Sequence, residues 1–246
     1  MRFKISALYT FVLLVSLSCS STTQKPKEEP SDNEVKPSMV EPVSNFGSGT
    51  QKTIKLQNGF EILVGGEEDF DSFKTYTLFK LNRNGIQLFQ DTSQTEYEFG
   101  DKLYPLSFSF DNEKFNLLVE VNDRPSKNYL KLFKIDGEKL VKIEKLPTFI
   151  AHAKNLDSDN ELEFAGFWDY PQISSDEDGN KITAYNPILY YYLSKRGLEV
   201  DTALTKERNT AIYGKFYGFE FMESIEVSST TLTNHDAEVE RIKNLK

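Results

Sequence analysis

Two kinds of segment alternate along this chain, and the alternation restricts it to a fold assembled from repeated antiparallel sheet units. The first kind is a polar turn that runs into an apolar strand. It occurs as Asn58-Gly59-Phe60-Glu61-Ile62-Leu63-Val64, as Asp111-Asn112-Glu113-Lys114-Phe115-Asn116-Leu117-Leu118-Val119, and as Asp157-Ser158-Asp159-Asn160-Glu161-Leu162-Glu163-Phe164-Ala165. The second kind is a hairpin with glycine at its bend. Leu78 to Leu81 returns through Asn84-Gly85 to Ile86 and Phe89, Tyr129 to Ile135 through Asp136-Gly137 to Leu140, and Tyr190 to Leu193 through Arg196-Gly197 to Val200. Asn-Gly and Asp-Gly supply the positive φ angles that tight hairpins need. The two kinds follow one another three times, with a period of roughly 50–60 residues marked by Gly85, Gly137 and Gly197 and by Phe60, Phe115 and Leu162. A period in that range is the signature of stacked sheet units.

The side chains agree with a sheet. Nineteen Phe and twelve Tyr stand against three Met, and aromatic residues suit a pleated, half-buried surface. The chain has one cysteine, so burial and backbone pairing must hold the core without an internal disulfide.

The pattern resembles a degenerate form of the FG-GAP and VCBS repeats of β-propellers, in which an acidic loop of D-x-D-G-D type precedes a strand and a hairpin follows. The best local match is Asp157 to Glu163, and the likeness spans residues 54–203. It implies an all-β fold: a propeller-like array of about three antiparallel sheet repeats within residues 51–232. Three repeats are fewer than the usual four or more blades, so ring closure stays open. The aromatic-rich stretch Ala211 to Val227 is expected to add one or two strands. Residues 233–246 are expected to form a short C-terminal helix, capped by Thr233 or Asn234, with acids early and Arg241 and Lys243 late to complement the helix dipole.

The N-terminus reads as an address. Arg2 and Lys4 precede the apolar run Ile5 to Leu17, which is shorter than the roughly 20 residues a helix needs to cross a bilayer. This order predicts a secretory signal over residues 1–18. Ser16-Leu17-Ser18-Cys19 resembles the lipobox of bacterial lipoproteins. The resemblance implies that Cys19 is acylated and becomes the first mature residue. With Ser20 after it rather than Asp, it also implies an outer-membrane destination. Residues 20–50 are rich in Ser, Thr, Pro, Lys and Glu, with Pro26, Pro30, Pro37 and Pro42 breaking any ladder, which predicts a disordered tether. Lys27-Glu28-Glu29 reads either as part of that tether or as a surface-export signal.

Charge and motifs narrow the function. Loss of Arg2 and Lys4 with the signal takes the formal charge from −9 to −11, which repels phosphate backbones and argues against nucleic acid as a partner. The chain has no G-x-S-x-G elbow, phosphate loop, H-E-x-x-H or cysteine pair, and only His152 and His235 could serve as imidazole bases. A non-enzymatic role is expected.

Two features remain as candidates. Asp157, Asp159 and Glu161 stand at alternate positions, as oxygen ligands do in a calcium loop, although Leu162 stands where such a loop carries glycine. The other reading of these acids is a solvated turn, with Glu161 and Glu163 facing water. Trp168 and Tyr170, among the aromatics flanking the Asp176-Glu177-Asp178-Gly179 loop, are candidate ligand-binding residues that could stack on a sugar; packing within a sheet is the alternative. No cofactor beyond calcium is indicated. The sequence thus points to a lipid-anchored outer-membrane protein whose repeat-built domain binds a protein or glycan partner, with a carbohydrate-binding or carbohydrate-active lipoprotein as the alternative.

Overall fold

A computed structural model of the chain describes residues 51–99, 103–110, 113–159, 161–194 and 196–245, with the backbone of 38–39 and 43–45. The expected signal, Cys19 and most of the expected tether lie outside the described residues. Three short strands come first, β1 (Ser38–Met39), β2 (Val43–Asn45) and β3 (Gln51–Lys55), followed by the longer β4 (Phe60–Asp69). Next come β5 (Lys74–Arg83), β6 (Ile86–Asp91), β7 (Tyr97–Glu98) and β8 (Leu106–Ser109). They are followed by β9 (Lys114–Val121), β10 (Tyr129–Asp136), β11 (Lys139–Pro147) and β12 (Glu163–Gly166). The chain continues as β13 (Ile173–Ser175), β14 (Lys181–Tyr185), β15 (Leu189–Ser194) and β16 (Gly197–Val200), then α1 (Thr202–Tyr213), β17 (Met222–Ser228) and α2 (Thr230–Asn244).

The repeat is visible as a recurring antiparallel meander. β3-β4-β5-β6 and β8-β9-β10-β11 form two such meanders, and β12-β15-β16 forms a shorter third. The two residues of β7 pair with β5 on one side and β9 on the other, fusing the first two meanders into one hydrogen-bonded sheet. β1 pairs with β8 and β2 with β3, so part of the stretch read as tether takes part in the sheet. A separate sheet, β13-β14-β17, absorbs the acidic loop as the turn of a hairpin. Among the described residues the sheets form no closed barrel or ring.

Burial explains the stacking. Phe60, Ile62, Val64, Phe79 and Leu81 of the first meander pack against Phe115, Leu117, Val119 and Phe133 of the second. The opposite face of the second meander, with Leu106, Leu118, Leu130 and Leu132, meets Phe164, Leu189 and Tyr191 of the third. The third turns Ala165 and Tyr190 toward Leu204, Ile212 and Ile242 of the helices. β9 is therefore covered on both sides, which is why it reads as an almost continuous apolar run rather than an alternation. Each fully buried Phe or Leu contributes about 1.5–3 kcal/mol relative to exposure.

The marker glycines occupy three different turn positions. Arg83 and Ile86 close a two-residue loop whose Asn84 and Gly85 both have positive φ, 50° and 81°. Asp136 and Lys139 close a loop in which Gly137 comes first, at φ 58°. Gly197 lies past its loop, paired with Ser194. The first two tips reach back alike: Asn84 N donates to Gly59 O at 2.8 Å, and Gly137 N to Glu113 O at 2.9 Å.

The C-terminal part departs from expectation. Ala211 to Tyr213 close α1, and of the stretch read as strands only Met222 to Ser228 are extended. α1 is capped by Asp201, whose Oδ1 accepts from Leu204 N at 2.8 Å, and ends on Gly214 at φ 73°. α2 starts at Thr230 behind Ser229, ahead of the expected caps Thr233 and Asn234. His152, one of the two candidate imidazole bases, stands exposed in the connection between β11 and β12. No helix among the described residues is long and apolar enough to cross a membrane.

Candidate functional site

The connection from β9 to β10, Asn122 to Asn128, is unusually polar for a hairpin between two buried strands, and its side chains build two adjoining clefts. One, of about 400 Å³, is lined by Asp123, Lys127, Tyr129, Lys145, Trp168 and Asp169, with Glu220 and Phe221 on its rim. The other, of about 330 Å³, is lined by Phe73, Glu98, Glu120, Arg124, Asn128 and Tyr170, and also touches Lys127. Trp168 and Tyr170 thus serve different clefts that share the Lys127 wall. Trp168 is half-buried, whereas Tyr170 is 58% exposed.

Lys127 is fixed in place. Its ammonium donates to Thr148 O at 3.2 Å, to Phe167 O at 2.9 Å and to Thr148 Oγ1, using all three hydrogens. Burial lowers its pKa to about 8. Asn186 sets the tryptophan loop: its Oδ1 accepts from Trp168 N at 3.3 Å and its Nδ2 donates to Asp169 O at 2.6 Å.

Each cleft also seats a cation of the protein on an aromatic ring. The Arg124 guanidinium lies 3.8 Å from the Phe73 centroid while pairing with Glu98 through both terminal nitrogens. The Lys145 ammonium lies 3.8 Å from the Tyr129 centroid and 5.9 Å from that of Trp168.

The acidic loop gathers differently from its sequence spacing. Carboxylate oxygens of Asp157, Asp159 and Glu163 lie within 4.8 Å of one another, while Glu161 stays exposed and its N–H donates to Asp159 Oδ1 at 2.6 Å. Glu163, expected to face water, is 1% exposed. β12 is enclosed on both faces, so alternation cannot bring Glu163 to the surface, and Leu162 takes the exposed place instead. Burial, with the charges of Asp159 and Asp157 adding to it, raises the Glu163 pKa to about 7, against an opposing 2.6 Å donation from Leu156 N.

Calcium takes six to eight oxygens, and these three carboxylates begin such a sphere. Each already accepts a main-chain N–H: Asp157 from Asp159, Asp159 from Glu161, and Glu163 from Leu156. The raised pKa of Glu163 means that near neutral pH a proton on this carboxyl competes with any metal there.

Of the residues singled out in the sequence, Trp168 and Tyr170 line the two clefts and Asp157 and Asp159 lie together, while Glu161 stays outside their cluster. Asp123, Arg124, Lys127, Lys145 and the inward turn of Glu163 were not singled out. The dense polar run Asn122-Asp123-Arg124 between two apolar strands was the available signal, because polar loops on rigid scaffolds carry function.

Comparison with protein-family models, with curated proteins and with solved structures finds no match.

Proposed function

We propose that this chain is a non-enzymatic binding module of a bacterial envelope, built on propeller-type sheet repeats and held at the outer membrane by lipid on Cys19. The observation that carries the reading is the pair of clefts meeting at Lys127, with Trp168 opening on one and Tyr170 on the other. Small-molecule sites typically enclose roughly 300–1,000 Å³ and combine apolar walls with a few fixed polar groups; both clefts have the volume, and the Trp168 cleft also has the mainly apolar wall, whereas the Tyr170 cleft is lined mostly by polar and charged groups. The meander repeated over residues 60–91, 114–147 and 163–200 supports the propeller-type description. Three acyl chains on one cysteine would make attachment effectively permanent, since each buried methylene adds about 0.8 kcal/mol.

Binding is tested with a glycan array and an envelope extract, wild type against the Trp168→Ala/Tyr170→Ala double variant. Both should melt alike, and the variant should lose the wild-type ligand. Equal capture by both ends the cleft reading. The address is tested separately: Cys19→Ser should move the protein from the membrane to the soluble fraction, and unchanged membrane retention contradicts the anchor.

A second reading, a carbohydrate-binding or carbohydrate-active lipoprotein, is favoured by the exposure of Tyr170 beside the carboxylates of Glu98 and Glu120. An exposed ring next to acceptors suits the flat face and hydroxyls of a sugar. Retention of a glycan on the array, lost in the double variant, selects it.

A further inference from the structure

Resting on the cleft reading above, we propose that the Trp168 cleft is a seat for an organic cation, with a quaternary ammonium group as its fitting occupant. The cleft already holds an ammonium. Lys145 Nζ lies over Tyr129, within cation–π range of Trp168, and 3.7 Å from the Asp123 carboxylate. Two ring faces and a counter-charge around one point make a cation seat, because the negative face of an aromatic ring attracts a cation within about 6 Å.

Asp169 and Glu220 bring the acids in the lining to three. The buried cation of the wall, Lys127, has no hydrogen left to offer an anion. An anionic ligand would therefore meet three carboxylates with only the exposed Lys145 to donate a hydrogen bond to it.

Lys145 behaves as a removable occupant. Its side chain is 54% exposed and its ion pair with Asp123 is exposed on both sides, a kind of contact that holds weakly. It stands on β11, which pairs with the rest of the sheet along one edge, and its flexible stem can swing into solvent. A ligand with a diffuse, weakly hydrated charge gains more from the rings than a hard metal ion, which needs a shell of oxygens converging on one point, and the carboxylates of this cleft form no such group. The volume of about 400 Å³ accommodates such a group with part of the molecule that carries it.

The chain has a single tryptophan, so its fluorescence reports on this cleft alone. The full-length protein is titrated with choline, with sodium chloride at equal ionic strength, and with phosphatidylcholine vesicles. Choline should change Trp168 emission saturably while sodium chloride does not. Lys145→Met should tighten binding about three- to tenfold by emptying the seat, and Asp123→Asn should weaken it by a similar factor. Both variants should melt within a few degrees of wild type, which separates loss of the site from loss of the fold. A response to vesicles alone supports the same chemistry presented on a lipid headgroup. No response to choline or vesicles, in wild type and in Lys145→Met alike, overturns the cation proposal. If an array glycan still changes Trp168 emission in that case, the cleft reading survives; if the double variant also captures as much as wild type, both fall.

Discussion

The guanidinium of Arg83 lies 4.3 Å from the centroid of the Phe115 ring, which ties the hairpin tip of the first repeat to the opening strand of the second. The same group lies 5.3 Å from the Phe60 centroid and donates to Gly137 O, while Phe60 and Phe115 meet edge-on at 5.1 Å. Two of the three residues that mark the strand segment of the repeat, Phe60 and Phe115, are thus in contact, with one cation serving both. Arg83→Ala should destabilise the domain by about 2–3 kcal/mol, because it removes a buried charge-assisted hydrogen bond and two ring contacts. Arg83→Lys should fall between, keeping the charge without the planar fork. Urea midpoints at constant slope measure both; a loss below about 0.5 kcal/mol for alanine would contradict the interlock.

Glu163 gives the domain a pH dependence of known sign. Its carboxyl is raised from the ordinary 4.5 to about 7 by burial, so the folded chain holds a proton that the unfolded chain has released. The contribution is fully present below about pH 4.5 and is lost as pH rises through about 7, by on the order of 2–3 kcal/mol. Glu163→Gln keeps an acceptor for Leu156 N and should flatten this decline. Melts with calcium and with chelator at pH 6 should coincide, since a protonated Glu163 is a poor calcium ligand. A calcium shift there would identify a metal centre.

His235 acts in the opposite direction. The ring is 2% exposed, both of its nitrogens lack a hydrogen-bond partner, and it packs edge-on against Phe167 at 5.0 Å. Asp236 stands 4.0 Å away, beyond hydrogen-bond range. Burial holds its pKa below the ordinary 6.5, so stability present above 6.5 is lost as pH falls and the unfolded chain takes up a proton. His235→Phe should stabilise by about 1–2 kcal/mol at pH 8, by removing unsatisfied polar atoms. The gain should be larger at pH 5. Thermal melts at the two pH values check it; equal gains would mean that the imidazole does not titrate with folding.

Gly166 sets how closely β12 approaches Thr148. A methyl group there would stand 2.6 Å from Thr148 O, a backbone atom that cannot step aside. That carbonyl is also an acceptor for Lys127. Gly166→Ala should cost roughly 2 kcal/mol or more through the clash and should change Trp168 emission by disturbing the wall between the clefts. Unchanged emission in a folded variant would show that the wall tolerates the shift.

What the sequence disclosed follows from what alternation and turn chemistry can encode. Phe60, Phe115 and the glycine tips announce the meanders because strands buried against one another need apolar runs between tight turns. α1 stayed hidden because half of its inner face is polar: Thr205 and Asn209 are buried beside Leu204 and Ile212. Thr205 Oγ1 accepts from Tyr190 N at 3.0 Å, and Asn209 accepts from Ile188 N at 2.9 Å and donates to Ile188 O at 2.7 Å. Polar residues that satisfy backbone groups of the neighbouring strand interrupt the apolar stripe of Leu204 and Ile212, and only Asp201 and Gly214 hinted at the ends of the helix. Glu163 was misplaced because period-two alternation assumes one wet face, and β12 has none. The clefts were half legible. Trp168 and Tyr170 stood out as aromatics, but their partners Asp123, Lys127 and Lys145 reach them only through pairing of strands distant in sequence.

Hydrogen–deuterium exchange of the full chain, with and without a soluble envelope extract, tests the central claim that ligand binds in the clefts meeting at Lys127. The account predicts added protection confined to residues 122–129, 167–173 and 219–222, absent in the Trp168→Ala/Tyr170→Ala variant. Protection elsewhere in the sheets, or the same protection in that variant, would contradict it.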